Sequence, residues 1–417
     1  MDANHIRRFF APRRGRRIAN TNDTRSFGDR RRNHLLAEFL QQISSRNLVN
    51  AEEETSSQDV KIDVQNQVTL SDDLLFKILI LLPADSLFRL QFVCKNWFGL
   101  INSSIFIRCH AQQSEFVLIC RKLTPPDQGF EDKPKSFFHV INIEDGGNNF
   151  MESRAVELVC IQSSYDGLIL ATTANNRSLI LMNPLTRKHV ELPSGTKGYF
   201  YVESFDIIAS CDEVKKTYNV VHLFRDYSGC TGCETLSIRT RKWRRVDEPP
   251  RELLSYCRQI PVTVGGSLYW LFTNGFSEYF FLSLNLRDGK FIRHDLPVTS
   301  SSRDRLFDID GNLGLVTNAE VGLMQVWILS TDSVKGENWV RKYSINLSVY
   351  TALPNPICCW KNGKGMVVEM GNGVYVHSFE IGEMKLIRSR SDDEVCLRRV
   401  DDDYIPHRNT LVSWEDI

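Results

Sequence analysis

The chain has 417 residues, 51 of them Lys or Arg and 51 Asp or Glu, and 42 % are apolar. A net charge of zero gives the whole molecule no electrostatic hold on nucleic acid, and no apolar run reaches the roughly 20 residues that a membrane-spanning helix needs. Eleven scattered cysteines fit a reduced intracellular chain better than a secreted disulfide scaffold.

Residues 1–66 read as a disordered basic arm, a short helix and a linker. The first 32 residues hold ten Arg against three Asp, a net of +7. The runs Arg13-Arg14-Gly15-Arg16-Arg17 and Arg30-Arg31-Arg32 have the character of a nuclear-import patch or a phosphate-binding arm, with a plain solvated tail as the bland alternative. The start lacks the apolar core of a secretory signal, so the expected location is the nucleus, the cytoplasm or both. Leu35, Leu36, Phe39, Leu40 and Ile43 would share one face of a helix over 33–48, and the polar, acidic stretch 49–66 follows as a linker.

Residues 67–110 are too apolar for their length. From Leu74 to Leu82 only Lys77 is polar. A helix that is apolar all round must be covered on all sides, and some 40 residues cannot do that alone. One side should therefore meet another protein. Ser71 can cap the first helix, with Asp72 and Asp73 in its first turn. Pro83 ends it. Asp85 or Ser86 can cap a second helix bearing Leu87, Leu90 and Phe92. A third carries Val93, Cys94, Trp97, Leu100 and Ile101, with one apolar face at i, i+4, i+7, i+8.

These residues resemble an F-box. The match rests on Leu70-Ser71-Asp72-Asp73-Leu74, Ile78-Leu79, Leu82-Pro83, Leu87, Leu90, Val93-Cys94-Lys95 and Trp97; Ser71 stands where the family usually has Pro. The resemblance implies binding to a Skp-type adaptor, which joins the chain to a cullin and a RING subunit in a ubiquitin ligase. It also implies that Leu70, Leu74, Ile78, Leu79, Leu82, Pro83, Leu87, Val93, Cys94 and Trp97 lie at or directly beneath the adaptor surface.

Beyond residue 111 the pattern becomes alternating apolar strands between Gly, Asn, Asp and Pro turns. The turn glycines Gly167, Gly266, Gly311 and Gly365 are 99, 45 and 54 residues apart. The first gap is about twice the others, and residues 202–247 supply the unit inside it. Strand-only units of this length are the signature of propeller blades. Five units are visible; strands at 116–143, with a tail strand near Leu397–Val400 or Thr410–Trp414, would complete a sixth. The region resembles the plant-type F-box-associated domain, which is kelch-like, on Ser164-Tyr165-Asp166-Gly167-Leu168, Asn183-Pro184-Leu185-Thr186-Arg187, Leu192-Pro193, the stretch Ser237–Trp243 and Gly266-Ser267-Leu268-Tyr269-Trp270. It departs from that family at Ser228-Gly229-Cys230-Thr231-Gly232-Cys233. The expected fold class is thus an α+β multidomain chain: a three-helix F-box at 67–110, then an all-β propeller-like domain of kelch type at 111–417 with five to seven blades.

No catalytic, metal or cofactor set is expected. Cys230 and Cys233 form a single CxxC without the second pair that a structural zinc needs, and the adjacent Cys358 and Cys359 would point to opposite faces of a strand. The clusters Asp392-Asp393-Glu394 and Asp401-Asp402-Asp403 read as solvated turns. Tyr199, Tyr201, Tyr256, Phe276 and Tyr350, all near turns, are candidate contacts to an unknown target protein; the alternative is packing between blades. The expected function is a non-catalytic substrate receptor of an SCF-type ligase. A propeller enzyme, with carboxylates or metal ligands gathered at the axis, is one alternative, and the sequence shows no such gathering. A nucleic-acid binder using the basic arm is another, and its binding would depend steeply on salt.

Overall fold

The computed structural model describes residues 71–114, 116–123, 136–143, 148–152, 158–173, 178–196, 204–211, 216–246, 249–250, 261–273, 279–298, 304–320, 322–332, 336–347, 354–360, 363–371, 373–389 and 404–414. The basic arm, the helix expected over 33–48 and the linker lie outside them. Among the described residues four helices come first, one more than the three expected of the module: α1 Asp72–Leu79, α2 Ala84–Leu90, α3 Lys95–Ile101 and α4 Ser104–Gln113. Ser71 caps α1 by accepting from the Leu74 amide at 3.4 Å. Pro83 itself occupies the N-cap position of α2, which places Asp85 inside its first turn. Cys94 is extended and precedes α3, so neither Val93 nor Cys94 is on that helix. Ser103 caps α4, accepting from the Phe106 amide at 3.2 Å. α4 extends the helical module beyond the boundary drawn at 110. Its polar Arg108, Gln112 and Gln113 hide an inner face of Phe106, Ile107, His110 and Ala111.

The remaining described chain forms six four-stranded sheets. The first holds β1 Phe116–Leu123, β2 Ser136–Asn142 and β3 Asn148–Glu152. The second is β4 Leu158–Tyr165, β5 Leu168–Thr173, β6 Leu179–Asn183 and β7 Lys188–Leu192. The third is β8 Ser204–Cys211, β9 Lys216–Arg225, β10 Thr231–Ser237 and β11 Lys242–Arg245, the unit expected inside the long gap. The fourth is β12 Val262–Val264, β13 Ser267–Thr273, β14 Tyr279–Asn285 and β15 Lys290–Asp295. The fifth is β16 Arg305–Ile309, β17 Asn312–Glu320, β18 Leu323–Asp332 and β19 Gly336–Asn346. The sixth is β20 Asn355–Trp360, β21 Gly365–Met370, β22 Gly373–Ser378 and β23 Met384–Ser389. β24 Ile405–Arg408 returns to the first sheet as the neighbour of β1. The ring is therefore a six-bladed propeller closed by its own C-terminal strand. That strand lies between the two places expected for it: Thr410–Trp414 is not a strand, and Leu397–Val400 is outside the described residues.

Strand alternation explains the closure. Leu168 and Leu170 face one way from β5, and Ile169 and Ala171 the other. Each sheet thus offers two apolar faces, and each gap between neighbouring blades is filled by one apolar cluster. Cys358 and Cys359 fall in different clusters, on opposite faces of β20; burial pushes the Cys358 thiol up to about 12. The first blade is also tied to both neighbours by histidines. His139 accepts from Arg388 of the sixth blade at 2.9 Å, which only a neutral imidazole can do. His407 on β24 is 2.8 Å from the Ser164 hydroxyl of the second blade, and burial lowers its pKa to about 3.

An imidazole held below its ordinary 6.5 takes up a proton on unfolding, so it withdraws stability as pH falls below 6.5 and continues to do so down to about 3. For His407 the maximal slope is about 1.4 kcal/mol per pH unit, or about 2 kcal/mol at pH 5. Urea midpoints at pH 7.5 and 5.0 should show this loss in the parent chain and a smaller one in His407→Gln. Equal losses in both would remove His407 from the account.

Candidate functional site

The helical module has a packed underside and an open outside. Leu75, Leu79, Ala84, Leu87, Leu90, Ile101 and Phe106 are buried. Phe106 meets the Phe76 ring edge-on at 5.2 Å between centroids. His110 Nε2 donates to the Leu82 carbonyl at 2.8 Å, bracing the turn between α1 and α2 from α4; burial holds this imidazole below its ordinary pKa, partly offset by that bond. Asn96 donates to Asp72 at 3.0 Å, joining the start of α3 to the start of α1. This underside is continuous with the apolar cluster between the second and third blades. The propeller therefore backs the module without enclosing it.

On the outside, Leu74, Leu81, Phe92, Phe98 and Ile105 are exposed, five of the ten exposed large apolar side chains among the described residues. Half of the exposed grease thus lies on 44 residues, and a concentration of this kind marks an interaction face. Of the ten residues assigned to the adaptor surface, Leu74, Pro83 and Cys94 are exposed, Ile78, Leu82, Val93 and Trp97 are half-buried, and Leu79 and Leu87 lie fully beneath. Leu70 is outside the described residues. Leu81, Phe92, Phe98 and Ile105 had not been assigned to the surface. Helical spacing identifies a face, but which side turns outward depends on α4 and the propeller.

Strands reverse within each blade, so the ring has two kinds of end. Turns joining first to second and third to fourth strands lie at one end. Turns joining second to third strands, and the links between blades, lie at the other. α4 enters β1, a second strand, so the helices sit at the first end. Tyr199, Tyr201, Tyr256, Phe276 and Tyr350 lie outside the described residues. The strand ends that flank their segments (Leu192 and Ser204, Arg245 and Val262, Thr273 and Tyr279, Asn346 and Asn355) all belong to the opposite end. The β9–β10 turn at that same end presents Tyr227, which is 66 % exposed and absent from the sequence assignment. The Asp226 carboxylate accepts from the Ser228 and Cys230 amides, both at 2.9 Å, and fixes this turn. The Ser228 hydroxyl, followed by these amides, holds Asp226 below the ordinary carboxylate range.

Along the axis runs a cavity of about 410 Å³. Its lining includes Asp166, Asp308 and Glu369 together with Arg305 and Arg408. The three carboxylates are spread along the ring rather than gathered: Asp166, in the turn after β4, and Asp308, near the end of β16, belong to the first of the two ends, whereas Glu369 on β21 pairs with Asn355 at the start of β20, toward the other. Each is engaged: Asp166 accepts from the Tyr218 hydroxyl at 2.9 Å, Asp308 from the Gly311 amide at 2.8 Å and Glu369 from Asn355 at 3.3 Å. Among the described residues no three potential ligands come together as a metal site. Cys230 is exposed in its turn and Cys233 buried, so the CxxC pair does not share one environment. His222 is a strand residue, stacked on Phe205 at 4.1 Å and bonded to Glu234 at 2.9 Å.

Residues 69–109 match the F-box domain family and residues 130–362 the family described as F-box associated beta propeller domain. The second match begins after β1 and ends within the sixth blade, just past β20, short of β21–β23 and of β24. Three Arabidopsis thaliana proteins whose names call them F-box proteins are similar to the chain. One is 27 % identical over 281 residues, covering 63 % of this chain and 86 % of its own length. A second is 26 % identical over 375 residues, covering 82 % and 98 %. A third is 24 % identical over 320 residues, covering 71 % and 85 %.

Proposed function

The chain belongs to the plant-type F-box proteins with an F-box-associated β-propeller, and from that premise we propose that it is the substrate-recognition subunit of an SCF-type ubiquitin ligase. α1–α3 dock on a Skp-type adaptor, which brings in the cullin and the RING subunit. The propeller holds the target protein. The chain performs no covalent step itself. It keeps a target lysine near a ubiquitin-loaded enzyme, so acceleration comes from effective concentration. The site of action is the nucleus or cytoplasm, in keeping with the Arg-rich start.

The observation that carries this reading is the exposed set Leu74, Leu81, Phe92, Phe98 and Ile105 standing on a fully packed underside. The test is capture of a purified Skp-type adaptor by the intact chain and by Leu74→Asp and Leu81→Asp. Both side chains are exposed, so neither variant should unfold. Each should weaken capture by about ten-fold or more, the equivalent of one interface anchor. A folded intact chain that captures no adaptor would end the ligase reading.

A further inference from the structure

The end of the ring that carries the helices is also where β24 ends. Only two residues separate α4 from β1, and β24 lies beside β1 with Arg408 opposite Phe116. The Arg408 guanidinium lies 4.3 Å from the centre of the Phe116 ring and donates to the Ala111 carbonyl at 3.3 Å. Ala111 is in the last turn of α4, where carbonyls lack a partner within the helix and a cation is favoured by the helix dipole. The chain then continues beneath the helices. Leu411 and Val412 are buried in the same apolar cluster as Ile107 and Ala111 of α4.

Two motifs that read from sequence as turn signals form the seat of this segment. In the first, the Asp166 carbonyl accepts from the Thr410 hydroxyl at 2.7 Å, and Ser164 meets His407. In the second, Asn183 is fully buried and donates to the carbonyls of Thr410 and Val412 at 3.0 and 2.9 Å. Its oxygen accepts from the amides of Leu185 and Thr186. Neither set of bonds is needed to close the ring, because β24 already pairs with β1. What they add is a rigid seat for α4.

We propose that residues 408–414 are a clamp that fixes the F-box module at one angle to the propeller, with Arg408, Thr410 and Asn183 as its positioning residues. The purpose of the clamp rests on the ligase reading, since delivery by proximity requires the target to stay at a set distance from the adaptor; its existence does not.

The experiment uses the full chain carrying a fluorophore pair at the exposed positions Arg89 on α2 and Arg287 on the fourth blade, without adaptor. Single-molecule energy transfer should give one narrow distance population for the intact chain. Arg408→Ala, and a chain ending at Asn409, should give a broad one, while the thermal midpoint of Arg408→Ala stays near that of the parent. Arg408→Lys, which still offers a cation and donors to Ala111, should restore the narrow population. If Arg408→Ala keeps the parental distribution, the clamp is refuted, whatever the fate of the shortened chain. Adaptor capture by the intact chain is scored separately. Its failure sinks the ligase reading and leaves the distance result standing.

Discussion

Truncating Phe106 to alanine is expected to destabilise the folded chain by about 3–5 kcal/mol. The ring is fully buried, stacks on His110 at 6.0 Å between centroids and meets Phe76 edge-on. Removing it leaves a hole beneath α1 and α4, and the neighbours cannot all move in, because they also serve the cluster between the second and third blades. A loss of that size is a large part of the 5–15 kcal/mol that usually holds a domain together. Urea unfolding should show an earlier transition for the helices. Hydrogen exchange should show α1 and α4 opening while the fifth and sixth blades stay protected. Unchanged protection of α1 and α4 in the variant would mean that the module does not depend on this core.

Gly167→Ala is expected to cost more than Gly266→Ala, although both glycines sit in hairpin turns with positive φ, +85° and +80°. The shared backbone strain is about 1–2 kcal/mol for an L residue. The difference lies in the surroundings. A β-carbon at Gly266 would meet nothing within 4 Å, whereas one at Gly167 would strike the Thr410 hydroxyl and come within 3.0 Å of the Arg408 carbonyl. Gly266→Ala should therefore lose the strain term alone. Gly167→Ala should also push the closing strand out of its seat, for a total of about 3 kcal/mol or more, the range of overpacking added to strain. Denaturant midpoints of the two variants decide it; equal shifts would show that Gly167 does no more than turn the chain.

How much of this could be read from the residues follows from the range of each interaction. The three F-box helices rest on local capping and spacing, and they appear near where the sequence places them; α1 ends at Leu79, before the expected stop at Pro83, α2 is capped by Pro83 and ends before Phe92, and α3 starts after Cys94. The blades rest on hairpins, also local, and even the doubled gap between Gly167 and Gly266 resolved into the expected extra unit. α4 was not expected as a helix of its own, because half of its surface is polar and breaks the apolar pattern. β24 was misplaced by a few residues because Ile405-Pro406-His407-Arg408 carries neither apolar alternation nor a following turn glycine; its strand character comes from pairing with β1, almost 300 residues earlier. That Asp166, Asp308 and Glu369 line one axial cavity has the same origin, since only the closed ring sets their blades around a common axis. The motifs around Asp166 and Asn183 were visible as turns, but their partners Thr410 and Val412 lie more than 220 residues away.

The most direct test of the central claim, an open apolar face on a module backed by the propeller, is oxidative footprinting of the full chain with and without a Skp-type adaptor. The account predicts that Leu74, Leu81, Phe92, Phe98 and Ile105 lose reactivity together when adaptor is added, while Tyr227 at the far end of the ring does not change. Protection of Tyr227 with those five left reactive would contradict it.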